Sequence, residues 1–270
     1  MQTAETPGLM LTDICCNLTH ESFADDQEEV LQRAREAGVT RFLLAGADLA
    51  ESQACVSTAQ RYPDCWAAVG VHPHQAREWN PDSAEILRDL QQDPQVIAIG
   101  ECGLDYYRDL SPREMQVAVF SEQLELAGEL GLPVLMHNRE ADEDFLQTFD
   151  NATHRPPRAV LHCFTGERSL LHACLERGMY IGITGWFCDE RRGQSLRDLI
   201  GEIPLDRLMI ETDAPYLLPR TLRPRPRTRR NEPMWLPHIA EQIADARGLS
   251  LDEFARHTQA CAQAFFAFPG

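Results

Sequence analysis

The stretch VIAIGECGLD at residues 96–105 decides how the rest of the sequence is interpreted. Its apolar first half predicts a short strand over residues 96–100 that is buried on both faces, as in a parallel sheet. The run ends in Gly100 and the carboxylate of Glu101. Ligands gather at the carboxyl ends of such strands, so Glu101 is a candidate functional residue.

Seven further apolar runs of strand length alternate with segments of helical spacing. The eight predicted strands cover residues 9–14, 41–45, 66–71, 96–100, 134–136, 159–161, 180–183 and 207–210. Alternation of strands and helices predicts a parallel sheet, and eight such units predict a closed (β/α)8 barrel, the TIM barrel. No proline- or glycine-rich linker divides the chain, so residues 1–270 are predicted to form a single domain. A doubly wound open sheet is the alternative, but no G-x-G-x-x-G motif follows the first strand.

The basic residues restrict the possible chemistry. All 25 of them are arginine, because the sequence contains no lysine. This excludes Schiff-base catalysis, and it excludes a metal centre bridged by a carboxylated lysine. The formal net charge of −17 opposes non-specific attraction to nucleic acid. A polyanionic substrate therefore needs a local basic patch or a metal ion.

Cysteine usage and the distribution of apolar residues predict the location of the protein. The nine cysteines are odd in number and nowhere spaced as C-x-x-C, which favours free thiols in a reducing compartment. No apolar segment follows residues 1–7, and no run approaches the ~18 apolar residues of a membrane span. We therefore expect a cytoplasmic protein that does not associate with membranes, and we expect it to be a monomer.

Ionisable side chains end six of the eight predicted strands. They are Asp13, His72, Glu101, His137, His162 and Asp213. The carboxyl ends of all strands in a closed parallel barrel lie on one rim, so these groups are predicted to converge. Any one of them alone could be a hydrogen-bonded core residue or a helix cap. Together, three imidazoles and three carboxylates predict a site for a divalent ion such as Mg²⁺, Mn²⁺ or Zn²⁺. His74 is expected to support this site or to contact substrate rather than to bind the ion.

An arginine-rich segment follows the last predicted strand. Between Tyr216 and Glu232 it contains Arg220, Arg223, Arg225, Arg227, Arg229 and Arg230 and no acidic residue. Guanidinium groups pair with phosphate oxygens through two hydrogen bonds, so Arg220, Arg229 and Arg230 are predicted to contact a polyanionic substrate. Candidates for stacking on bases are Tyr216, Trp186, Phe187 and Tyr106. The alternative is a solvated loop that pairs with the acidic surface.

Several motifs resemble those of the TatD family of metal-dependent deoxyribonucleases. They are DICCNLT at residues 13–19, GVHPH at 70–74, GECGLD at 100–105, MH at 136–137, LHCFTG at 161–166 and ETDAPYL at 211–217. The resemblance covers nearly the whole chain. It implies a TIM barrel of amidohydrolase type, a divalent metal ion, and 3′-to-5′ exonuclease action that favours single-stranded DNA and RNA.

The resemblance also implies roles for individual residues. Glu101, His137 and His162 would hold the metal ion, Asp213 would be a ligand or the proton acceptor, and His72 would lie in the active site. In the implied mechanism the ion activates a water molecule, Asp213 takes its proton, and hydrolysis leaves a nucleoside 5′-phosphate. Glu101 would serve both potential metal positions, so it is also a candidate catalytic residue.

One departure from the family pattern concerns the first strand. Most of the family opens with D-x-H-x-H, whose two histidines hold a second metal ion, whereas Cys15 and Asn17 stand at those places here. The sequence therefore leaves undecided whether the site binds one metal ion or two. An amide offers only its oxygen to a metal ion, and the cysteine would have to bind as a thiolate.

Three other functions are compatible with the same residues. A small-molecule amidohydrolase or lactonase would use the same ion and water against a carbonyl group. An aminoacyl-tRNA deacylase is a further enzymatic alternative, and a non-catalytic barrel that binds nucleic acid is an alternative from another class. The arginine-rich segment favours a polyanionic substrate over a small neutral one.

Overall fold

The computed structural model describes residues 8–269. These residues form eight strands, and four of the strands (the second to the fifth) are longer or start earlier than the sequence predicted. Their bounds are β1 Leu11–Cys16, β2 Val39–Ala45, β3 Cys65–Val69, β4 Val96–Asp105, β5 Val134–Arg139, β6 Ala159–Leu161, β7 Tyr180–Ile183 and β8 Leu208–Ile210. Together they form one sheet in the order β1 to β8, and all neighbouring pairs are parallel.

Helices alternate with the strands, as the hydrophobic spacing predicted. They are α1 Gln27–Glu36, α2 Leu49–Ala59, α3 Ser83–Leu90, α4 Arg113–Leu130, α5 Asp142–Asn151, α6 Arg168–Glu176, α7 Gln194–Leu199, α8 Leu236–Arg247 and α9 Leu251–Phe266. Short 3-10 helices, including Pro73–Glu78 and Gly185–Cys188, follow strands at the rim. Gly131 ends α4 in a left-handed conformation with φ of 67°, which glycine adopts without strain.

The sheet closes through hydrogen bonds between β1 and the segment that follows β8. The amide of Asp213 donates to the carbonyl of Cys15 at 2.9 Å, and the amide of Asn17 donates to the carbonyl of Ala214 at 2.8 Å. These bonds confirm the predicted (β/α)8 barrel. They also bring the two ends of the strand series, about 200 residues apart in the sequence, into direct contact.

The barrel is filled by apolar side chains and is blocked at its amino end. The interior cluster includes one residue from each of seven strands: Ile14, Leu43, Trp66, Ile97, Leu135, Val160 and Met209. Phe268 packs edge-on against Trp66, with ring centroids 4.8 Å apart, and Phe265 packs in the same way against Tyr180, also at 4.8 Å. Trp66 and Tyr180 lie at the starts of their strands, so within residues 8–269 these aromatic rings cover the amino end and leave the carboxyl ends for a ligand.

Strand β4 extends five residues beyond its predicted end at Gly100. Gly100 and Gly103 have φ values of 133° and 141°, which other residues rarely adopt. A Cβ atom at Gly103 would overlap the carbonyl oxygen of His137, and one at Gly100 would overlap that of Leu135. The glycine that suggested the end of the strand instead permits an irregularity in its pairing with β5, and Glu101 lies within the strand.

Asp13 does not join the predicted rim site, and that prediction was wrong. Its carboxylate is fully buried, where it accepts hydrogen bonds from the amide of Thr212 at 2.9 Å and from the hydroxyl of Thr212 at 2.5 Å. Burial raises the pKa of Asp13 to about 8, against the effect of these bonds. Asp13 therefore fastens β1 to the segment after β8, which the sequence pattern of a strand-terminal carboxylate could not distinguish from a metal ligand.

The described residues contain no helix that is both long enough and apolar enough to cross a membrane. The prediction that residues 1–7 lead into no export signal concerns residues outside those described.

We expect Asp13→Ala to destabilise the barrel by about 2–3 kcal/mol, because the buried amide and hydroxyl of Thr212 would lose their acceptor. Urea unfolding measures the change in the free energy of unfolding. The control is Asp25→Ala, since Asp25 is exposed and makes no side-chain hydrogen bond in the described structure. Equal stabilities of the two variants would contradict the role assigned to Asp13.

Candidate active site

One carboxylate oxygen is the centre of the polar cluster at the carboxyl ends of the strands. Glu101 Oε1 lies 2.7 Å from His162 Nε2, 3.1 Å from His137 Nδ1 and 3.2 Å from His72 Nε2. Burial alone would raise the pKa of Glu101. The positive charge of His162 and hydrogen bonds from the surrounding imidazoles outweigh burial and hold this pKa well below its usual range. Glu101 is therefore ionised, and it is surrounded by nitrogen atoms.

The other nitrogen of two of these imidazoles faces a second carboxylate. His137 Nε2 lies 3.3 Å from Asp105 Oδ2, and His162 Nδ1 lies 3.4 Å from Glu211 Oε2. These carboxylates favour a proton on the ring nitrogen that faces them. His137 Nδ1 and His162 Nε2 are then the ring nitrogens that face Glu101 and that an ion bound beside this carboxylate would use. This is the arrangement by which carboxylates orient metal-binding histidines in proteins.

His72 differs from the other two imidazoles. Its Nδ1 accepts a hydrogen bond from the amide of His74 at 3.1 Å and so caps the 3-10 helix Pro73–Glu78. Burial lowers the pKa of His72 to about 4, so the ring is neutral. With Nδ1 acting as an acceptor, the proton is on Nε2, which donates to Glu101. His72 lies in the site as predicted, in a position to orient Glu101 rather than to bind an ion.

The donor atoms fit a divalent cation. Two sets of three donor atoms lie within 4.8 Å of one another, one from Cys15, Glu101 and His162 and the other from His72, Glu101 and His137. Glu101 belongs to both sets. His137 Nε2, His162 Nδ1 and Glu211 Oε2 are buried and lack a hydrogen-bond partner. Imidazole nitrogens that converge on an ionised carboxylate, with incompletely bonded polar atoms behind them, are the chemistry of a cation site.

Asp213 lies beside this cluster but outside both donor sets. It follows β8 with a left-handed φ of 54°, and its Oδ1 accepts a hydrogen bond from Asn17 Nδ2 at 3.2 Å. Burial raises the pKa of Asp213 to about 7, and the negative charge of Glu101 contributes. Asn17 thus orients Asp213 through its amide hydrogens, although the sequence had suggested only its oxygen as a functional group.

Sequence reasoning gave no role to Asp105 or Glu211. Asp105 is buried, and besides facing His137 its Oδ2 lies 2.7 Å from His74 Nε2. The neighbouring imidazoles of His137 and His74 overcome the effect of burial and hold the pKa of Asp105 well below its usual range. Glu211 Oε1 accepts from the amide of Cys163 at 2.5 Å. The spacing of Glu101 and Asp105 was the one signal in the sequence. Residues four apart in a strand share a face, so the two carboxylates lie on one side of β4 if the strand continues past Gly100.

The predicted phosphate-binding arginines occupy different environments. Arg230 donates to Asp26 at 2.7 and 2.6 Å and to Glu232 at 2.7 Å, and these intramolecular ion pairs disfavour the predicted contact with phosphate. Arg220 and Arg229 are exposed. Arg220 also lines a surface pocket of about 260 Å³ together with Glu190, Arg223 and Arg225. The segment is therefore partly structural and partly open to a ligand.

The predicted stacking residues also separate. Phe187 is buried, and Arg113 lies against the ring of Tyr106, with its guanidinium carbon 4.3 Å from the ring centroid. Tyr106 also donates a hydrogen bond to Asp144 at 2.5 Å. Tyr216 is 52% exposed and packs edge-on against His20. Trp186 is half-buried and contacts arginines on its ring.

Trp186 belongs to a series of stacked groups at the rim that the sequence did not indicate. The guanidinium carbon of Arg139 lies 4.1 Å from the ring centroid of Tyr107 and 5.7 Å from that of Trp186. The guanidinium carbon of Arg192 lies 4.2 Å from the Trp186 ring. We call these four residues the rim stack. Arg139 ends β5 two residues after His137, so the rim stack begins next to the cluster of imidazoles around Glu101.

An eight-stranded barrel with a carboxylate and imidazole cluster at the carboxyl ends of its strands defines the class of TIM-barrel hydrolases. The family model "TatD related DNase" matches residues 12–267. The chain belongs to this family, as the motifs had indicated.

Similar proteins cover nearly the whole chain. The "3'-5' ssDNA/RNA exonuclease TatD" of Erwinia tasmaniensis is 52% identical over 255 residues, which span 94% of this chain and 98% of the relative. The protein of the same name from Salmonella typhimurium is 50% identical over 254 residues, with 94% and 98% covered. The crystal structure of YJJV, a TatD homologue from Escherichia coli K12, superposes with a TM-score of 0.87 at 28% identity, covering 96% of this chain and 98% of that one.

We expect Asp105→Asn to weaken binding of a divalent ion about 10–100-fold, because His137 would lose the carboxylate that orients it. Isothermal titration of the chelator-treated protein with Mn²⁺ measures the affinity. The matched control is Asp109→Asn, which removes an exposed ion pair with Arg113. Unchanged affinity in Asp105→Asn would show that Asp105 does not orient the ligand.

Proposed function

We propose that the protein is a metal-dependent 3′-to-5′ exonuclease that hydrolyses phosphodiester bonds of single-stranded DNA and RNA. The observation that carries the proposal is the convergence of His137 Nδ1 and His162 Nε2 on Glu101 Oε1, at 3.1 and 2.7 Å. The activity in the names of relatives that are 50–52% identical supports the substrate class and the direction of digestion.

Glu101, His137 and His162 would hold the divalent ion. The neighbouring carboxylate of Asp213 would be a further ligand. Mg²⁺ is the ion we propose, with Mn²⁺ and Zn²⁺ as alternatives. When bound, such an ion would polarise a phosphodiester oxygen and lower the pKa of a water molecule. The protein's own contribution is to fix the ligands, through Asp105 behind His137 and Glu211 behind His162.

Asp213 is the proposed proton acceptor. Its carboxylate is oriented by Asn17 and lies next to the cluster on the segment that follows β8. It would take the proton of the attacking water, whose oxygen forms the new bond to phosphorus as the bond to the 3′-oxygen breaks. The products are a nucleoside 5′-phosphate and a strand shortened by one nucleotide. His72 holds Glu101 in place during this step through its Nε2 proton.

Substrate binding is proposed for the rim stack and for exposed groups near it. Aromatic rings and guanidinium planes stack on bases of any sequence, which suits an enzyme without sequence preference. Arg220 and Arg229 are the proposed phosphate contacts, and Tyr216 is an additional ring. His74 remains a candidate for contact with the terminal nucleotide, since a quarter of its side chain is exposed beside Asp105.

We also propose that the protein acts as a monomer, as a single domain over residues 1–270, in the cytoplasm and without a membrane partner. Free thiols support a reducing compartment: all nine cysteines are unpaired, and eight of them are buried.

Incubation with single-stranded DNA labelled at its 5′ end tests the function. With Mg²⁺ we expect a ladder that shortens from the 3′ end, and we expect no products with chelator. Asp213→Asn should lower kcat about 10²–10⁴-fold, because the proton acceptor is lost. Glu101→Gln should be at least as impaired, since both donor sets contain Glu101.

The same preparation should leave lactones and amides intact. Hydrolysis of these compounds without shortening of DNA would favour the amidohydrolase alternative. Intact DNA that is nevertheless bound tightly would favour the non-catalytic alternative.

A second prediction distinguishes the exposed Arg220, a proposed phosphate contact, from Arg230, which forms ion pairs within the protein. Arg220→Gln should reduce the slope of log affinity against log salt by about 0.7 for single-stranded DNA, because one phosphate contact is lost. Arg230→Gln should leave that slope unchanged and should instead lower the free energy of unfolding, since it breaks the ion pairs with Asp26 and Glu232. Fluorescence anisotropy in chelator and urea unfolding measure the two effects. The reverse outcome would assign phosphate binding to Arg230.

A third prediction concerns the rim stack. Tyr107→Leu should weaken binding of single-stranded DNA by about 1–3 kcal/mol, because one stacking surface is removed. Tyr107 is 55% exposed, so the substitution should leave folding intact. The matched control is Tyr62→Leu: Tyr62 lies against Arg35 and Arg61 three residues before β3, at the amino end of the barrel. Equal affinities of both variants and the parent would exclude the rim stack from DNA binding.

A further inference from the structure

Cys15 is placed within the cluster of imidazoles around Glu101 although a thiol is unusual among ligands for hard ions. It lies in β1 and is fully buried. Its Sγ atom, a carboxylate oxygen of Glu101 and a ring nitrogen of His162 all lie within 4.8 Å of one another. These residues come from β1, from β4 and from the position directly after β6, so three separate strands bring the atoms together.

Packing is the simpler explanation for most buried cysteines, because a thiol behaves as a small apolar group. Cys15 does contact the barrel interior beside Ile14. Its position differs from that of the other eight cysteines in one respect. Within residues 8–269, Cys15 is the only cysteine that forms a metal-type donor set with carboxylate and imidazole groups.

We propose that Cys15, Glu101 and His162 bind a thiophilic divalent ion of the Zn²⁺ or Cd²⁺ class through one sulfur, one oxygen and one nitrogen atom. Zn²⁺ binds thiolate, imidazole and carboxylate ligands together, and a coordinating thiol is deprotonated by the ion. Binding breaks the S–H bond, forms the metal–sulfur bond and releases the proton to solvent. The nitrogen available from the imidazole is Nε2, since Nδ1 of His162 faces Glu211.

Cys15 would thereby determine which divalent ions the site prefers. Mg²⁺ requires oxygen-rich, near-octahedral surroundings and gains nothing from sulfur. Soft ions bind thiolate preferentially. The same centre would therefore hold Mg²⁺ without Cys15 and Zn²⁺ or Cd²⁺ with it, and this inference does not depend on the proposed nuclease activity.

Titration of the chelator-treated protein with Cd²⁺ tests the proposal. We expect an ultraviolet charge-transfer band from a cadmium–thiolate bond, together with one proton released from the thiol. Cys15→Ser should abolish the band and weaken Cd²⁺ and Zn²⁺ binding, while the affinity for Mg²⁺ stays the same. Cys163→Ser is the matched control, because Cys163 is more exposed than the other eight cysteines but belongs to neither donor set.

Retention of the band in Cys15→Ser, or equal losses of Mg²⁺ and Cd²⁺ affinity in that variant, would overturn the proposal. X-ray absorption of the unmodified protein loaded with Zn²⁺ keeps the test valid if the variant does not fold. One sulfur neighbour at about 2.3 Å is expected, and a first shell of nitrogen and oxygen atoms alone would be decisive against it.

Discussion

The buried negative charge of Glu101 is the constraint on which the rest of this structure depends. A carboxylate removed from water is costly unless positive charge or hydrogen-bond donors surround it. Gly100 and Gly103 let β4 pass close to β5 with Glu101 between them, where a Cβ atom at either glycine would overlap a backbone carbonyl. His72 donates its Nε2 proton to Glu101, and the hydrogen bond that its Nδ1 accepts from the amide of His74 fixes the ring. Asp105 and Glu211 then decide which nitrogen of His137 and of His162 is left to face Glu101. The site is therefore built in layers around one oxygen atom.

Closure of the barrel and assembly of the site use the same short segments. Asp13 binds Thr212, the backbone of Cys15 accepts from Asp213, and the side chain of Asn17 donates to Asp213. Asp13 and Cys15 in β1 thus fasten the last segment and face the cluster, and Asn17, directly after β1, orients the proposed proton acceptor. Because one strand serves all three purposes, Asp213 is positioned only when the sheet is closed. The replacement of the family's two histidines by Cys15 and Asn17 changes what this strand offers to the site without removing its structural task.

The sequence predicted the barrel and most of the cluster because both depend on local patterns. Apolar runs mark the strands, and the residue after each run marks the rim, so Glu101, His137 and His162 were found without coordinates. Asp105 was missed because its contact depends on β4 continuing through two glycines with left-handed φ, and glycine usually signals an end. Asp13 was misassigned because a buried carboxylate after an apolar run looks the same whether it binds a metal ion or Thr212. Arg230 could not be distinguished from Arg220, since its partners Asp26 and Glu232 are fixed only by the tertiary structure.

The charge distribution also explains how an acidic protein could bind a polyanion. With a net charge of −17, most of the surface repels nucleic acid, and attraction is confined to places where arginines collect. Arginine is the only basic residue in this chain, and its planar group can stack on a ring while its edge binds phosphate. Arg139 lies between Tyr107 and Trp186 in this way, two residues from His137. A strand held by such groups would be recognised by its backbone and by the flat faces of its bases, so any sequence would be accepted. Repulsion by the rest of the surface would then direct the strand to the carboxyl ends of the barrel strands, opposite the end that Phe265 and Phe268 cover.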